Sequence, residues 1–222
     1  MLCGKNLVSY TEGYFCKECF DGFYFNNGPL CSKCGMLFVS KEGENHLCSK
    51  CITQEHFFDT ARSLGLFEGS LKKAIHYFKY NDITILAEPL GELLAYYGEH
   101  MLNYREYEII IPVPLHRMRL RQRGFNQSVM LAQKVGKEWN VHVSVESLGR
   151  SKKTTPQTML PLRERKKNVR GAFFYTGRNL SGERILLIDD VYTTGSTVNE
   201  CARTLKKNGA SRVDILTLAR TT

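Results

Sequence analysis

No apolar run in these 222 residues reaches the roughly 18 that a membrane-spanning helix requires. The N-terminus has no basic segment followed by an apolar one, so no secretory signal is expected. A soluble, cytoplasmic protein is the resulting expectation. None of the six histidines stands in a zinc-protease or catalytic-triad context, so neither chemistry is expected. Acidic residues are scarce in one place. Residues 105–170 hold fifteen Lys and Arg against five Asp and Glu, while the rest of the chain sets sixteen against seventeen. The net charge of +9 therefore lies in the central stretch. Such a patch suits a diphosphate or a nucleic-acid backbone, and a solvated basic surface is the plain alternative.

Cysteine is nearly absent after residue 51, where only Cys201 occurs. The other seven fall at Cys3, Cys16-x2-Cys19, Cys31-x2-Cys34 and Cys48-x2-Cys51. Without an export signal, paired C-x2-C units indicate metal rather than disulfides. Cys31, Cys34, Cys48 and Cys51 have the spacing of an all-cysteine zinc ribbon. Cys16 and Cys19 form a second clean pair, but Cys3 lacks a mate: the missing ligand is expected just before Met1, or else Cys3, Cys16 and Cys19 bind zinc with a fourth ligand such as His46 or His56, or do not bind it at all. The alternative joins Cys16, Cys19, Cys31 and Cys34 in one site. These sites have a structural character, with no position set aside for catalysis. Cys201 reads as a small core residue.

Two domains are expected: a cysteine-rich zinc-ribbon module over 1–56, possibly double (set by metal, since so short a segment buries little core), and an α/β domain over 57–222. In the second, Ser70 is placed to cap a helix with Leu71, Ile75 and Phe78 on one face. A further helix covers 83–103, bent or interrupted at Pro89. Strands are expected at 109–113, 141–148, 171–175, 185–188 and 213–218, with helices at 126–139 and 197–208. Alternation of this kind indicates a mostly parallel sheet flanked by helices. Residues 149–169 read as a long polar, basic loop.

Residues 185–197 carry the chemistry. Four apolar residues, a buried strand, run into Asp189 and Asp190, then into Tyr192-Thr193-Thr194-Gly195-Ser196-Thr197 and a helix. In open α/β sheets ligands bind beyond the carboxyl ends of strands. There, the two carboxylates can accept hydrogen bonds from a ribose diol. The loop supplies hydroxyls, a glycine for close approach, and the anion-favouring start of a helix. Upstream, Arg117, Arg119, Arg121 and Arg123 follow a strand end, and Lys152 and Lys153 lie in the long loop. Guanidinium groups clamp phosphate oxygens in pairs, so these residues are candidates for a diphosphate. A single-stranded DNA groove is the competing reading, with aromatics such as Phe125 available for stacking. His116, beside this segment, is read as packed or solvated rather than a ligand.

The run Ile185–Thr197 resembles the phosphoribosyl-diphosphate (PRPP) motif of type I phosphoribosyltransferases. The resemblance implies that Asp189 and Asp190 hold the ribose hydroxyls and serve catalysis, and that Thr193, Thr194, Gly195, Ser196 and Thr197 hold the 5′-phosphate. It implies Mg2+ with PRPP, diphosphate bound by residues 114–124 and closure of 150–168 over the site. The strings Pro112-Val-Pro-Leu…Arg123-Gly-Phe-Asn-Gln127 and Arg150…Thr154…Gln157…Arg163…Asn168…Ala172-Phe173, with the cysteine module, are similar to the ComF-type late-competence family, nearest its ComFC branch. Membership implies a phosphoribosyltransferase-like domain serving DNA uptake in natural transformation, with a helicase-like competence ATPase as partner. A non-catalytic role, binding single-stranded DNA or a nucleotide on the same scaffold, is the alternative.

Overall fold

The continuous apolar runs of β2 (Ile109–Pro112) and β6 (Arg184–Tyr192) lie side by side in the middle of a five-stranded sheet. The computed structural model describes residues 15–40, 42–80, 83–151 and 169–222. Cys3, Lys152, Lys153 and the loop positions Thr154 to Asn168 lie outside the described residues.

In chain order the elements are α1 (Lys17–Asp21), α2 (Ser49–Thr53), β1 (Thr60–Leu66), α3 (Gly69–Tyr80), α4 (Ala87–Met101), β2, α5 (Arg117–Arg123), α6 (Gln127–Trp139), β3 (His142–Val143), β4 (Leu148–Arg150), β5 (Phe173–Tyr175), β6, α7 (Ser196–Lys207) and β7 (Arg212–Arg220). The sheet order is β1-β7-β6-β2-β3, with every pair parallel. β4 and β5 form a separate antiparallel pair. Parallel strands are buried on both faces, and this accounts for the continuous rather than alternating apolar runs. The chain leaves β2 toward β3 and leaves β6 toward β7, in opposite directions. The β2/β6 boundary is therefore a switch point, where open α/β sheets form a crevice.

On one face α3, α4 and α6 press Leu71, Ile75, Phe78, Leu90, Leu94, Leu131 and Val135 against Ile110, Leu186, Ile188 and Leu216. The other face buries Ile109, Ile111, Ile185, Leu187, Val213 and Ile215 beneath α7, the β4–β5 pair and the cysteine-rich segment. That segment also covers the outer edge of β1. Tyr24 O accepts from Leu66 N at 2.8 Å, Asn26 N donates to Leu64 O at 3.2 Å, and Phe25 bridges Gly65 in antiparallel fashion. Lys33 O accepts from Ala61 N at 2.8 Å. Gly35, at φ 67, approaches so near that a Cβ there would meet Ala61 O at 2.4 Å.

Several boundaries differ from the sequence expectation for local reasons. Pro89 is the third residue of α4, where the missing N–H costs no intrahelical bond, so the helix continues unbroken through it. Gly69 (φ 54) rather than Ser70 opens α3. The stretch 141–148 yields two short strands instead of one. A full strand, β1, forms at Thr60–Leu66, ahead of the strands expected from the sequence.

Between α4 and α6, Lys134 is ion-paired to Glu88, Glu92 and Glu138 at 2.5, 2.8 and 2.9 Å. Gly98 of α4 faces the Trp139 ring; a Cβ there would lie 2.6 Å from Cζ2 and 2.9 Å from Leu216 Cδ2. Both neighbours are held in the core. Gly98→Ala is therefore expected to destabilise by about 1–3 kcal/mol despite its better helix propensity, read as a lower denaturation midpoint at unchanged slope.

Candidate sugar-phosphate site and cysteine cluster

β2 ends at Pro112, paired with Ile188, and the chain then turns into α5. β6 does not end there. It runs on to Tyr192, still paired with β7 through Thr217, Ala219 and Arg220. Asp189 and Asp190 thus lie within the strand, in the gap left by β2, not beyond its end. Ser128 Oγ, in the first turn of α6, donates to Asp189 Oδ1 at 2.9 Å. Asp190 N donates to the same oxygen at 3.0 Å. Lys79 Nζ, near the end of α3, pairs with Asp190 Oδ2 at 2.8 Å. Burial, and next the charge of Asp190, push the Asp189 carboxyl up to about 7, against the pull of Lys79.

The loop after β6 turns at Gly195 (φ 73), which occupies the N-cap position of α7. Thr194 Oγ1 and Ser196 Oγ are 2.8 Å apart, and Ser196 N donates to Thr194 Oγ1 at 3.3 Å. A Cβ on Gly195 would lie 2.2 Å from the Tyr192 phenol oxygen, so the loop closes directly over that ring. Gly195→Ala is expected to combine φ strain with this clash and displace the loop. Amide exchange in residues 193–197 should rise at least about tenfold while the central strands keep their protection; unaltered exchange would contradict the close-packed geometry.

The four arginines after β2 are on a helix, not a loop. Residues four apart share a helical face, so Arg119 and Arg123 oppose Arg117 and Arg121. Arg117 and Arg121 are exposed, whereas Arg119 is half-buried. Burial, then Arg123, lower the Arg119 pKa, while Tyr80 and Asp190 lie close enough to oppose this. Arg123 donates to Gln127 Oε1 at 2.8 Å and stands over the Tyr80 ring at 5.0 Å. Arg150, at the end of β4, is within electrostatic range of both Arg119 and Asp189. Lys79 thus contacts the acid pair, while Arg119 and Arg150 lie within electrostatic range of Asp190 and Asp189 respectively.

The Arg-Gly-Phe-Asn-Gln string has an architectural role. Gly124 (φ 79) terminates α5, Phe125 packs on Phe78, and Asn126 caps α6 by accepting from Ser128 N while donating to Val113 O. His116 Nδ1 accepts from Met118 N and so caps α5. Phe173 is core, whereas Phe174 is 43% exposed because successive strand residues face opposite sides. Cys201 is fully buried.

In the N-terminal segment the sulfurs of Cys31, Cys34, Cys48 and Cys51 lie within 4.8 Å of one another. The amides of Cys34 and Cys48 donate to Cys31 Sγ at 3.4 and 3.3 Å. Burial works against the Cys31 thiolate, but these bonds outweigh it and bring the thiol down to about 6. Four soft donors at this separation suit tetrahedral zinc. Cys16 precedes α1 and Cys19 is buried within it; among the described residues neither joins this cluster, which sets aside the arrangement pairing them with Cys31 and Cys34.

A parallel sheet with an acid pair and a hydroxyl loop at its switch point, joined to a cysteine ribbon, defines a phosphoribosyltransferase-type domain with a zinc-ribbon module. The family models agree: the phosphoribosyl transferase domain matches residues 123–221 and the double zinc ribbon domain residues 1–55. DNA utilization protein YhgH of Shigella flexneri is 32% identical over 196 residues, 86% of this chain and 84% of that protein. Competence protein ComFC of Streptococcus pneumoniae is 27% identical over 239 aligned positions, 99% of each. The chain belongs to this ComF-type competence and DNA utilization family. Among solved structures, a purine phosphoribosyltransferase of Pyrococcus horikoshii matches 60% of this chain and 71% of its own, at 19% identity and TM-score 0.39. A phosphoribosylpyrophosphate synthetase of Mycobacterium smegmatis matches 57% of this chain but only 31% of its own, at 19% identity and TM-score 0.35.

Ser128 and Lys79, which hold the two acids, escaped the sequence reading. They lie 61 and 111 residues from their partners, and no local spacing marks either.

Proposed function

We propose that the C-terminal domain binds PRPP, as its magnesium complex, in a protein serving DNA uptake. The observation that carries this is the acid pair in the β6 overhang, immediately before the Thr193–Thr197 loop and faced by Lys79, Arg119 and Arg150. Asp189 and Asp190 accept the ribose hydroxyls. The loop and the first turn of α7 take the 5′-phosphate, where helix amides lack intrahelical partners. Arg119 and Arg150 face the diphosphate. Mg2+ supplies further charge neutralisation on the diphosphate when bound. Lys79 releases Asp190 as the sugar enters and leaves one cation near the anionic ligand. Phosphoribosyl transfer to a nitrogen acceptor is the reaction such a site would run. The names of the relatives support the setting in competence and DNA utilization.

Four clustered thiolates support structural zinc at Cys31, Cys34, Cys48 and Cys51. A second reading, single-stranded DNA contact, is favoured by one surface. α5 turns Arg117 and Arg121 outward beside exposed Met118 and Leu120, away from the acid pair. A helicase-like competence ATPase as partner follows from the family resemblance.

Calorimetric titration with magnesium and PRPP tests the first reading, and an oligonucleotide titration over a salt series tests the second. Arg119→Met should weaken PRPP and leave the DNA salt slope nearly intact; Arg117→Met with Arg121→Met should reduce that slope by about two and spare PRPP. No PRPP binding by the parent chain would sink the donor-site reading. Diphosphate release across purine, pyrimidine and amine acceptors tests transfer. Binding without release would favour a sensing scaffold.

A further inference from the structure

We infer that the cysteine cluster positions the phosphate loop through Arg220 and Tyr192, so that metal occupancy of the ribbon and ligand affinity of the sheet are coupled. The inference rests on Thr193–Thr197 being the phosphate-binding loop.

Arg220 is the last residue of β7 and only 5% exposed. A cation so buried needs a compensating anion. Among the described residues no carboxylate forms an ion pair with it. Instead its Nη1 donates to Cys34 O at 2.6 Å, placing the charge against the cysteine cluster. Four thiolates around a divalent metal carry a net charge of about −2, which Arg220 is placed to balance. The same guanidinium stands 5.2 Å from the centroid of the Tyr192 ring. Tyr192 is buried, meets Phe58 in a T-shaped pair at 6.3 Å, and carries Gly195 on its phenol oxygen. Cluster, guanidinium, phenol ring and loop glycine therefore form one contiguous stack.

A second tether runs in parallel. Phe57, six residues after Cys51, donates its N–H to Asn199 Oδ1 at 2.7 Å, and Asn199 N donates to Gly195 O at 2.8 Å. The segment leaving the last cysteine pair is thus fastened to the first turn of α7, beside the loop. The first tether starts at Cys34 and the second at the segment leaving the ribbon; both end at Gly195.

The test is amide hydrogen exchange on the zinc-loaded full chain. Arg220→Met cuts the first tether and Asn199→Ala the second, the latter with no bulky group removed from the core. In both, residues 193–199 should exchange roughly tenfold faster, while 185–188 and 213–218 keep parental protection and zinc content is unchanged. Arg220→Lys, which keeps the charge, should restore part of the protection. Parental exchange in the loop of both variants overturns the inference. So does acceleration spread evenly over the sheet, which would make Arg220 an ordinary stability residue.

PRPP titration of the same proteins separates this from the reading it rests on. If the parent chain does not bind, the donor-site reading fails and the exchange result alone judges the tethers. If it binds, both variants should lose affinity by roughly 5- to 100-fold, and by reciprocity PRPP should slow zinc transfer to a chelator in the parent but not in Arg220→Met. Equal zinc transfer with and without PRPP in a parent that binds it counts against the coupling.

Discussion

Asp189→Asn is expected to abolish PRPP binding and, at the same time, to stabilise the protein above pH 7. The carboxyl is raised to about 7 in the folded chain, first by burial and then by Asp190, and the Lys79 charge only partly offsets this. In the unfolded chain it titrates near 3.9. The folded state therefore holds a proton that the unfolded state has already lost between about pH 4 and 7. Stability from this group is complete below about pH 4 and is lost as pH rises through about 7. Asparagine removes that loss. Its side-chain oxygen can still accept from Ser128 Oγ and from Asp190 N, the bonds made to Oδ1 now. Melting curves at pH 5 and pH 8 should show the parent losing several degrees and the variant losing less, with a gain of a few degrees over the parent at pH 8. A melting profile whose pH dependence is the same in both proteins would show that Asp189 is not the group titrating. The trade of stability for an acid pair is the kind expected where a binding site must hold two like charges together.

Removal of the metal should have the larger structural effect. Residues 15–58 contain two five-residue helices and few regular backbone ladders of their own. Structural zinc contributes on the order of 10 kcal/mol to small ribbons. Loss of the ion, or Cys48→Ser, leaves at least three thiol groups crowded in a buried site and removes the crosslink. The knuckle carrying Gly35 then detaches from Ala61, and the outer edge of β1 loses Tyr24 and Asn26. The expected result is a fall in Tm of roughly 10 °C or more, with aggregation through the uncovered edge. Elemental analysis should find about one or two zinc ions per intact chain. A value near zero in a chain with full thermal stability would overturn the metal reading.

How much of this was legible in the sequence depended on the range of the interaction. The central parallel strands β2, β6 and β7 were, because each is buried and carries its own apolar run. The acid pair and its loop were, because acids, hydroxyls and glycine are contiguous. The extension of β6 past the acids was not, since it is set by β7 continuing alongside to Arg220. The alternating arginines were alike as candidates for a diphosphate; a helix divides them into two pairs facing opposite ways. The Arg-Gly-Phe-Asn-Gln string carried the family resemblance, yet its side chains join α5, α6 and α3 rather than meet the acid pair. The docking of the ribbon on β1 left no local trace, because backbone groups make most of it.

That docking has a bearing on how the chain is made. β1 pairs with β7, Thr60 against Asp214, so its permanent neighbour is synthesised about 150 residues after it. Pairings separated this far in sequence form late, and an unpaired strand invites association with other chains in the meantime. The ribbon cysteines are all translated before residue 52. A ribbon closed around metal would be ready to shield one side of β1 as soon as that strand emerges, leaving a single side to wait for its partner.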